Sequence, residues 1–166
     1  LLENARDIIM FVRLDGRILE ANKAAEDAYG YSRSELLTLN IYDLHNQNDR
    51  LVIEQYMQDA SFRGITYETI NVRKDGSAFP VEVSSQGVVI GKQKILGQVI
   101  RDITDRKRIE ENLRYFASYD ALTGVPNRRV LEETYNKMFG SIRDISQMNN
   151  TGALLLIDID NFKFIN

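Results

Sequence analysis

The sequence predicts an α+β fold: a five-stranded antiparallel sheet with helices on one face, followed by a charged helix and an incomplete α/β unit. Three observations lead to this prediction. Short apolar segments separated by turn signals recur over residues 1–104, and short helical patterns stand after the second of these segments. From Asp105 onward the chain becomes dense in charged, helix-forming residues.

The first two strands are predicted to form a hairpin. An apolar strand over 8–12 leads to Asp15-Gly16, a dipeptide typical of hairpin turns, and the returning strand covers 17–20. Asn22 is then placed to cap a helix that Gly30 ends.

The remaining elements of this region follow in order along the chain. A short helix begins at Ser32 or Ser34, and a longer helix covers 49–60. One face of the longer helix is predicted to hold Leu51, Ile53, Tyr56 and Met57. Further strands are predicted over 66–72, 78–85, 88–90 and 95–100.

Composition excludes several classes of protein. The 166 residues are 43% apolar and 27% charged, which is typical of a globular protein and not of a disordered one. The net charge of −3 argues against nucleic acid as the main partner. The sequence has no cysteine, so disulfides, thiolate metal ligands and cysteine nucleophiles are excluded.

The chain is expected to come from a longer, cytoplasmic protein. No apolar run is long enough for a transmembrane helix, and no signal peptide opens the sequence. The first residue is Leu1, and the sequence stops at Asn166 soon after an apolar run. We therefore expect an excerpt, which leaves room for a membrane anchor or other domains outside it.

The charged helix over 105–118 carries a narrow apolar stripe. Ile109, Leu113 and Phe116 stand at i, i+4 and i+7, and Thr104 is a plausible N-cap. A narrow stripe on a charged helix is typical of a helix that pairs with a copy of itself. The alternative is a helix that lies on its own domain, and we favour self-pairing.

The last nine residues indicate a site for metal and phosphate. A turn-rich link leads to a helix over 128–139, and an apolar run over 153–157 ends in Asp158 and Asp160. Such a run reads as a buried strand with acids at its carboxyl end, which is where open α/β sheets bind ligands. Mg²⁺ is usually held by one or two carboxylates together with substrate phosphates.

Several motifs together resemble a PAS domain with its C-terminal extension, over residues 1–118. They are DGRIL at 15–19, NKAA at 22–25, YGY at 29–31, ELL at 35–37, RKDGSAFPVEV at 73–83 and RDITDRK at 101–107. The resemblance implies the PAS fold for 1–104 and a signalling helix for 105–118. It also implies a pocket between the sheet and the inserted helices.

Residues 119–166 resemble the start of a GGDEF (diguanylate cyclase) domain. DALTGVPNRR at 120–129 is similar to the opening motif of that family, and DIDNFK at 158–163 is similar to its first metal strand. The resemblance implies that the parent protein joins two GTP molecules into cyclic di-GMP with the help of two Mg²⁺ ions. The hairpin that gives the family its name is expected beyond Asn166, so this fragment by itself is predicted to be non-catalytic.

The GGDEF resemblance also implies roles for individual residues in the parent. Asp158 would be a metal ligand, and the carbonyl of Ile159 would supply a second oxygen. Backbone N–H groups near Phe162 and Lys163, with the Lys163 ammonium, would bind phosphates. Asn166 would hydrogen-bond the guanine edge. We expect no bound ion in the fragment, because Mg²⁺ needs several converging oxygens.

The content of the PAS pocket is unknown from the sequence, and we expect either no cofactor or an unidentified small ligand. Without cysteine, flavin chemistry through a cysteine adduct is excluded. His45 is the one histidine, and we interpret it as a turn residue and not as a haem ligand. Arg73-Lys74 is interpreted as a solvated hairpin pair. Five tyrosines could line the pocket or simply pack: Tyr29, Tyr31, Tyr42, Tyr56 and Tyr67.

Two hypotheses for function remain. In the first, the chain is the sensory and dimerising module of a diguanylate cyclase and acts as a homodimer through 105–118. In the second, it is a constitutive interaction module attached to a degenerate GGDEF domain that binds GTP or regulates a phosphodiesterase. A sensor kinase is a third option, against which the motif at 120–129 argues.

Overall fold

One antiparallel sheet forms the body of the structure. The computed structural model describes residues 5–120 and 122–139. Its strands are β1 (Ile8–Arg13), β2 (Ile18–Ala21), β3 (Ile65–Val72), β4 (Ala78–Ile90) and β5 (Gln93–Asp102). They pair antiparallel in the order β2-β1-β5-β4-β3, which confirms the predicted five-stranded sheet. The segments predicted separately over 78–85 and 88–90 are one continuous strand, β4.

The helices stand where the sequence predicts them. They are α1 (Lys23–Tyr29), α2 (Arg33–Leu36), α3 (Arg50–Arg63), α4 (Thr104–Ser118) and α5 (Arg128–Phe139), with short 3₁₀ helices at Ile41–Leu44 and Gln47–Asp49. The chain divides into two compact units, Leu1–Arg114 and Tyr115–Asn166, and each is described by itself.

Local capping explains the positions of α1 and α2. The Asn22 side chain accepts a hydrogen bond from the N–H of Ala25, and Gly30 ends α1 in the left-handed conformation. Ser32, and not Ser34, caps α2, because its side chain and that of Glu35 form a reciprocal capping box.

The β1–β2 turn requires glycine at one position. The N–H of Gly16 donates to the carbonyl of Arg13 at 2.9 Å, and its φ of 89° is left-handed. A Cβ atom at Gly16 would lie 2.3 Å from Oδ1 of Asn40, the residue that caps the first 3₁₀ helix. The turn thus packs against the start of that helix, and a side chain at this position would prevent the contact.

The core lies between one face of the sheet and helices α1 to α3. Alternate residues of β1 and β4 point into it: Ile8, Met10, Val12, Phe79, Val81 and Val83. From α3, the buried side chains are Ile53, Met57 and Ala60. The prediction that Leu51 shares their face is wrong, since Leu51 is 79% exposed. Leu51 stands two residues before Ile53, which corresponds to a rotation of about 200° around a helix of 3.6 residues per turn. It therefore lies on the opposite face.

Candidate functional site

The apolar stripe of α4 is exposed to solvent. Ile109, Leu113 and Phe116 are 58%, 64% and 60% exposed, respectively. No residue of α4 is buried. The stripe is therefore available for a contact outside the chain, while self-pairing itself stays a prediction.

The base of α4 is fixed to the sheet by backbone and side-chain hydrogen bonds. Ile103 is buried, and its N–H donates to the carbonyl of Pro80 at 3.0 Å. Oδ1 of Asp102 accepts from the N–H of Thr104 at 2.8 Å. The helix therefore begins at Thr104, and the prediction that Thr104 is the N-cap is wrong. Asp102, two residues before Thr104, supplies the acceptor that a cap would provide.

Arg73 connects the β3–β4 turn to the same place. Its guanidinium lies 3.7 Å from the ring centroid of Phe79 and donates to the carbonyl of Ala28 and to Oδ2 of Asp102, the latter at 3.2 Å. Burial raises the pKa of Asp102, but hydrogen bonds from Thr104 and the nearby Arg73 outweigh it and leave the pKa lowered.

Lys74 is also engaged, although it stays exposed to solvent. The interpretation of Arg73-Lys74 as a solvated pair therefore holds for Lys74 and is wrong for Arg73, which is partly buried. The Lys74 ammonium lies 2.6 Å from Oε1 of Glu35 and 5.5 Å from the ring centroid of Tyr31. The two cations hold the β3–β4 turn against α1 and α2, and the amphipathic stems explain why a charged pair can pack this closely.

A group of charges lies on the outer face of the sheet next to α4. Glu68 of β3 and Glu82 of β4 are direct partners in the antiparallel register. Arg106 reaches both carboxylates, and Lys107 lies 2.6 Å from Glu68. The hydrogen bond from Lys107 is the main reason that the pKa of Glu68 is lowered.

Two polar side chains stand in the apolar core between β4 and β5. Gln98 and Ser85 are 3% and 2% exposed and lie opposite each other in the register. Nε2 of Gln98 donates to the Ser85 hydroxyl at 3.4 Å, whereas Oε1 of Gln98 has no partner among the described residues. A buried amide oxygen without a partner is costly, so this position suits a water or a ligand that donates a hydrogen bond.

His45 and Asn71 form a second buried polar pair. Their backbones are joined by an isolated antiparallel bridge, which places the two side chains on the same side. Nδ1 of His45 lies 2.9 Å from the carbonyl of Ile41 and must carry the proton, which leaves Nε2 as an acceptor. Burial lowers the pKa of His45 and so favours the neutral ring. His45 ends the first 3₁₀ helix, as expected of a turn residue.

The tyrosines of the PAS-like region pack against the core. Tyr29 is fully buried, and its hydroxyl is hydrogen-bonded to Nδ2 of Asn71. The others are partly buried against the core: Tyr31, Tyr42, Tyr56 and Tyr67. The rings of Tyr56 and Tyr67 are in contact, with centroids 4.0 Å apart and their planes tilted by 30°. Packing therefore accounts for these contacts.

The second unit contains a turn that joins the end of α4 to α5. Oδ1 of Asp120 accepts from the N–H groups of Leu122 and Thr123 at 3.2 and 2.9 Å. The carbonyl of Ala117 accepts from Nδ2 of Asn127 at 2.9 Å and from Nε and Nη2 of Arg129 at 3.1 and 2.6 Å. Asn127 also accepts from the N–H of Val130, as a cap of α5.

The predicted metal and substrate residues lie outside the described residues. They are Asp158, Ile159, Phe162, Lys163 and Asn166, and no structural statement is made about them. Within residues 5–120 and 122–139, no group of three or more metal-ligating side chains is found. No helix in the same part of the chain is long and apolar enough to cross a membrane.

Sequence reasoning missed the polar pairs and the charge group. Gln98 stands two residues from both Leu96 and Ile100, so the alternation of β5 could have placed it in the core. The facing of Glu68 and Glu82 depends on strand register, which the sequence alone does not specify here.

Comparisons with protein families match both parts of the chain. Residues 6–105 match the model of the PAS domain. Residues 117–166 match the model described as "Diguanylate cyclase, GGDEF domain".

Individual proteins support both matches. The diguanylate cyclase DgcM of Escherichia coli K12 is 32% identical over 160 residues, which cover 92% of this chain and 37% of that protein. The cyclic di-GMP phosphodiesterase PdeR of the same strain is 25% identical over 170 residues, covering 99% of this chain and 25% of that protein. The chain thus spans well under half of either relative.

The fold has solved counterparts. A crystal structure of a PAS domain from Colwellia psychrerythraea is similar with a TM-score of 0.58 at 27% sequence identity, covering 63% of this chain and 92% of that chain. The similarity agrees with the five-stranded sheet and inserted helices described above.

Proposed function

We propose that this chain, which belongs to the PAS domain family through residues 6–105, is the sensory and dimerising module of a diguanylate cyclase. The observation that carries the proposal is the exposed stripe of Ile109, Leu113 and Phe116 on α4. That helix stands between the PAS unit and the segment that matches the GGDEF model. A paired α4 would bring two such segments together.

Pairing matters because of the reaction proposed for the parent. Two GTP molecules on two domains must face each other before a bond can form between them, so catalysis depends on proximity and orientation. In the parent, Asp158 and Ile159 would hold Mg²⁺, and Phe162, Lys163 and Asn166 would bind GTP. The proposal keeps the fragment itself non-catalytic and places the parent's GGDEF domain in the cytoplasm, where GTP is found.

The turn between α4 and α5 supports transmission of a change in α4. Three N–H groups from Asn127 and Arg129 converge on the carbonyl of Ala117 in the last turn of α4. Asn127 caps α5 at the same time. The end of α4 and the start of α5 therefore share one hydrogen-bonded joint, through which a rotation of α4 would reorient α5.

The signal is proposed to act through the PAS core. Gln98 and Ser85 offer hydrogen-bonding groups in otherwise apolar surroundings, as a small polar ligand would require. We propose either such a ligand or none, with His45 as a residue of the turn that ends the first 3₁₀ helix and not as a haem ligand. Native mass spectrometry of the purified chain tests this: a mass in excess of the sequence would identify a ligand.

Crosslinking tests the pairing. The sequence has no cysteine, so single cysteines at Ile109, Leu113 and Phe116 would be unique. We expect these variants to form disulfide-linked dimers faster than matched exposed controls at Glu111 and Arg114. Equal crosslinking at all five positions would contradict a specific pair of α4 helices.

Cyclase activity of the whole protein tests the coupling. Locking α4 in different registers with those cysteines is expected to change the rate of cyclic di-GMP synthesis. If every register gave the same rate, control of the cyclase through α4 would be wrong, even with the pair confirmed.

The second candidate is a constitutive interaction module. The similarity to PdeR, a phosphodiesterase by name, favours it, because the alignment with that protein covers 99% of this chain. In that case the GGDEF segment would bind GTP or regulate a phosphodiesterase without making cyclic di-GMP. An intact Gly-Gly-(Asp/Glu)-Glu-Phe run in the whole protein would favour the cyclase, and GTP binding without product formation would favour the alternative.

A further inference from the structure

Two glutamates of the same charge face each other on the outer surface of the sheet. Glu68 and Glu82 are direct partners in the β3–β4 register, and both are outside the core. Carboxylates directly opposite each other repel and weaken strand pairing. A cation close to both is needed to offset this repulsion.

The cation comes from α4 and not from a neighbouring strand. Arg106 places Nη2 2.5 Å from Oε1 of Glu68 and Nη1 3.5 Å from Oε2 of Glu82. Lys107 adds a contact of 2.6 Å to Glu68. Arg106 also lies 3.9 Å from Glu110 on its own helix. The first two turns of α4 thus supply two cations to the facing glutamates.

The sheet also places a cation, Arg101, beside Glu82, where the two charges attract each other. Arg101 of β5 is the register partner of Glu82, but its Nε and Nη2 atoms bind Asp7 at 3.1 and 2.7 Å. A guanidinium engaged on both of these nitrogens is held toward Asp7. This arrangement leaves Arg106 as the group that bridges Glu68 and Glu82.

We propose that Glu68 and Glu82 form an electrostatic anchor for α4, and that Arg106 is the positioning residue that fixes the direction in which α4 leaves the sheet. Exposed ion pairs are individually weak and are screened by salt. Loosening the anchor therefore frees the direction in which α4 leaves the sheet, while the hydrogen bonds of Ile103 and Asp102 keep the base of the helix in place. The anchor is a property of this chain, and only its effect on a cyclase rests on the proposed function.

Distance measurements test the anchor in the chain as it exists. Because the sequence has no cysteine, Thr66→Cys on β3 and Glu111→Cys on α4 give two unique sites for spin labels. We expect a narrow distance distribution at low ionic strength, which broadens in Arg106→Gln. The matched control is Arg108→Gln, because Arg108 is exposed and has no ion pair among the described residues. An Arg106→Gln distribution as narrow as that of the control would overturn the anchor.

A double-mutant cycle separates the effect of the lost charge from the effect of a changed helix propensity. In the chain that keeps both glutamates, Arg106→Gln is expected to lower the midpoint of urea unfolding. In the background Glu68→Gln with Glu82→Gln, the facing charges are gone, so the same substitution is expected to leave the midpoint unchanged. Equal shifts in both backgrounds would overturn the role of the glutamate pair, because a loss of helix propensity would be the same in each.

Cyclic di-GMP synthesis by the whole protein separates this inference from the proposed function. A broadened distance distribution with unchanged synthesis would support the anchor and overturn control of the cyclase through α4. An unchanged distribution with altered synthesis would overturn the anchor and leave the proposed function standing.

Discussion

The Arg73 guanidinium lies over the ring of Phe79, with its central carbon 3.7 Å from the ring centroid. The two residues stand at opposite ends of the β3–β4 turn, and Arg73 also reaches Oδ2 of Asp102 at 3.2 Å. One side chain thus ties that turn to the residue that precedes α4. Lysine could supply the charge but neither the planar stack nor the fork of donors.

Arg73→Lys is therefore expected to destabilise the domain. The loss should be about 1–2 kcal/mol, as for a partly buried cation–π contact together with a charged hydrogen bond. Urea unfolding followed by circular dichroism measures it. The control is Arg17→Lys, since Arg17 is exposed and its side chain has no ion pair in the described part of the chain. Equal losses for both variants would contradict the role of the stack.

Gly16→Ala is expected to cost more than Gly76→Ala. Both glycines are left-handed, with φ of 89° and 83°, so the conformational penalty is similar. The new Cβ at Gly16 would lie 2.3 Å from Oδ1 of Asn40, whereas nothing lies within 4 Å at Gly76. We expect about 1–3 kcal/mol from strain alone at either site and a further loss at Gly16. Thermal unfolding of the two variants compares them, and equal melting temperatures would be inconsistent with the close contact.

These two examples show what the sequence could and could not predict. The turn at Asp15-Gly16 and the caps at Asn22 and Ser32 are local, because the residues that form them lie within three positions of each other. The sequence therefore places those elements well. The contact between Gly16 and Asn40 joins residues 24 positions apart and depends on how the 3₁₀ helix packs.

The candidate site was predictable to a similar degree. The α4 stripe follows from spacing alone, since Ile109, Leu113 and Phe116 belong to one helix. The Arg106 contacts with Glu68 and Glu82 require the β3–β4 register and the position of α4 to be known together. Leu51 was misplaced although helix geometry alone separates it from Ile53, because two residues correspond to about 200° around a helix.

His45 predicts a dependence of stability on pH. Burial lowers its pKa below the ordinary value of 6.5, so the unfolded chain binds a proton more readily than the folded one. The contribution of neutral His45 to stability is therefore fully present above about pH 6.5. It is lost progressively as the pH falls from there to the lowered pKa of the folded protein.

Chemical denaturation between pH 5.5 and about 7.5 measures this loss, the range being chosen around the histidine value. His45→Gln is the comparison, because His45 is the one histidine in the sequence. The variant should lack the dependence attributable to His45 in this range. If the native chain and the variant showed the same pH dependence, a buried neutral His45 would be ruled out.

Gln98 offers a test of whether the PAS core holds a polar ligand. Its Oε1 is buried and has no partner in the described part of the chain. A ligand-free domain is therefore destabilised by the desolvation of that oxygen. Gln98→Leu should therefore leave the ligand-free domain as stable as before, or stabilise it by up to about 1 kcal/mol. Gln86→Leu is the control, because Gln86 lies on β4 and is exposed.

A ligand-binding role and a packing role of Gln98 predict different results for Gln98→Leu. If a ligand donates to Oε1, Gln98→Leu should remove the extra mass seen by native mass spectrometry and lower the melting temperature of the ligand-bound protein, since binding stabilises the folded state. If Gln98 only packs, the mass and the melting temperature should follow those of Gln86→Leu. A ligand that persists in Gln98→Leu would show that the sensory contact lies elsewhere in the core, and the pair of His45 and Asn71 would then be the next position to substitute.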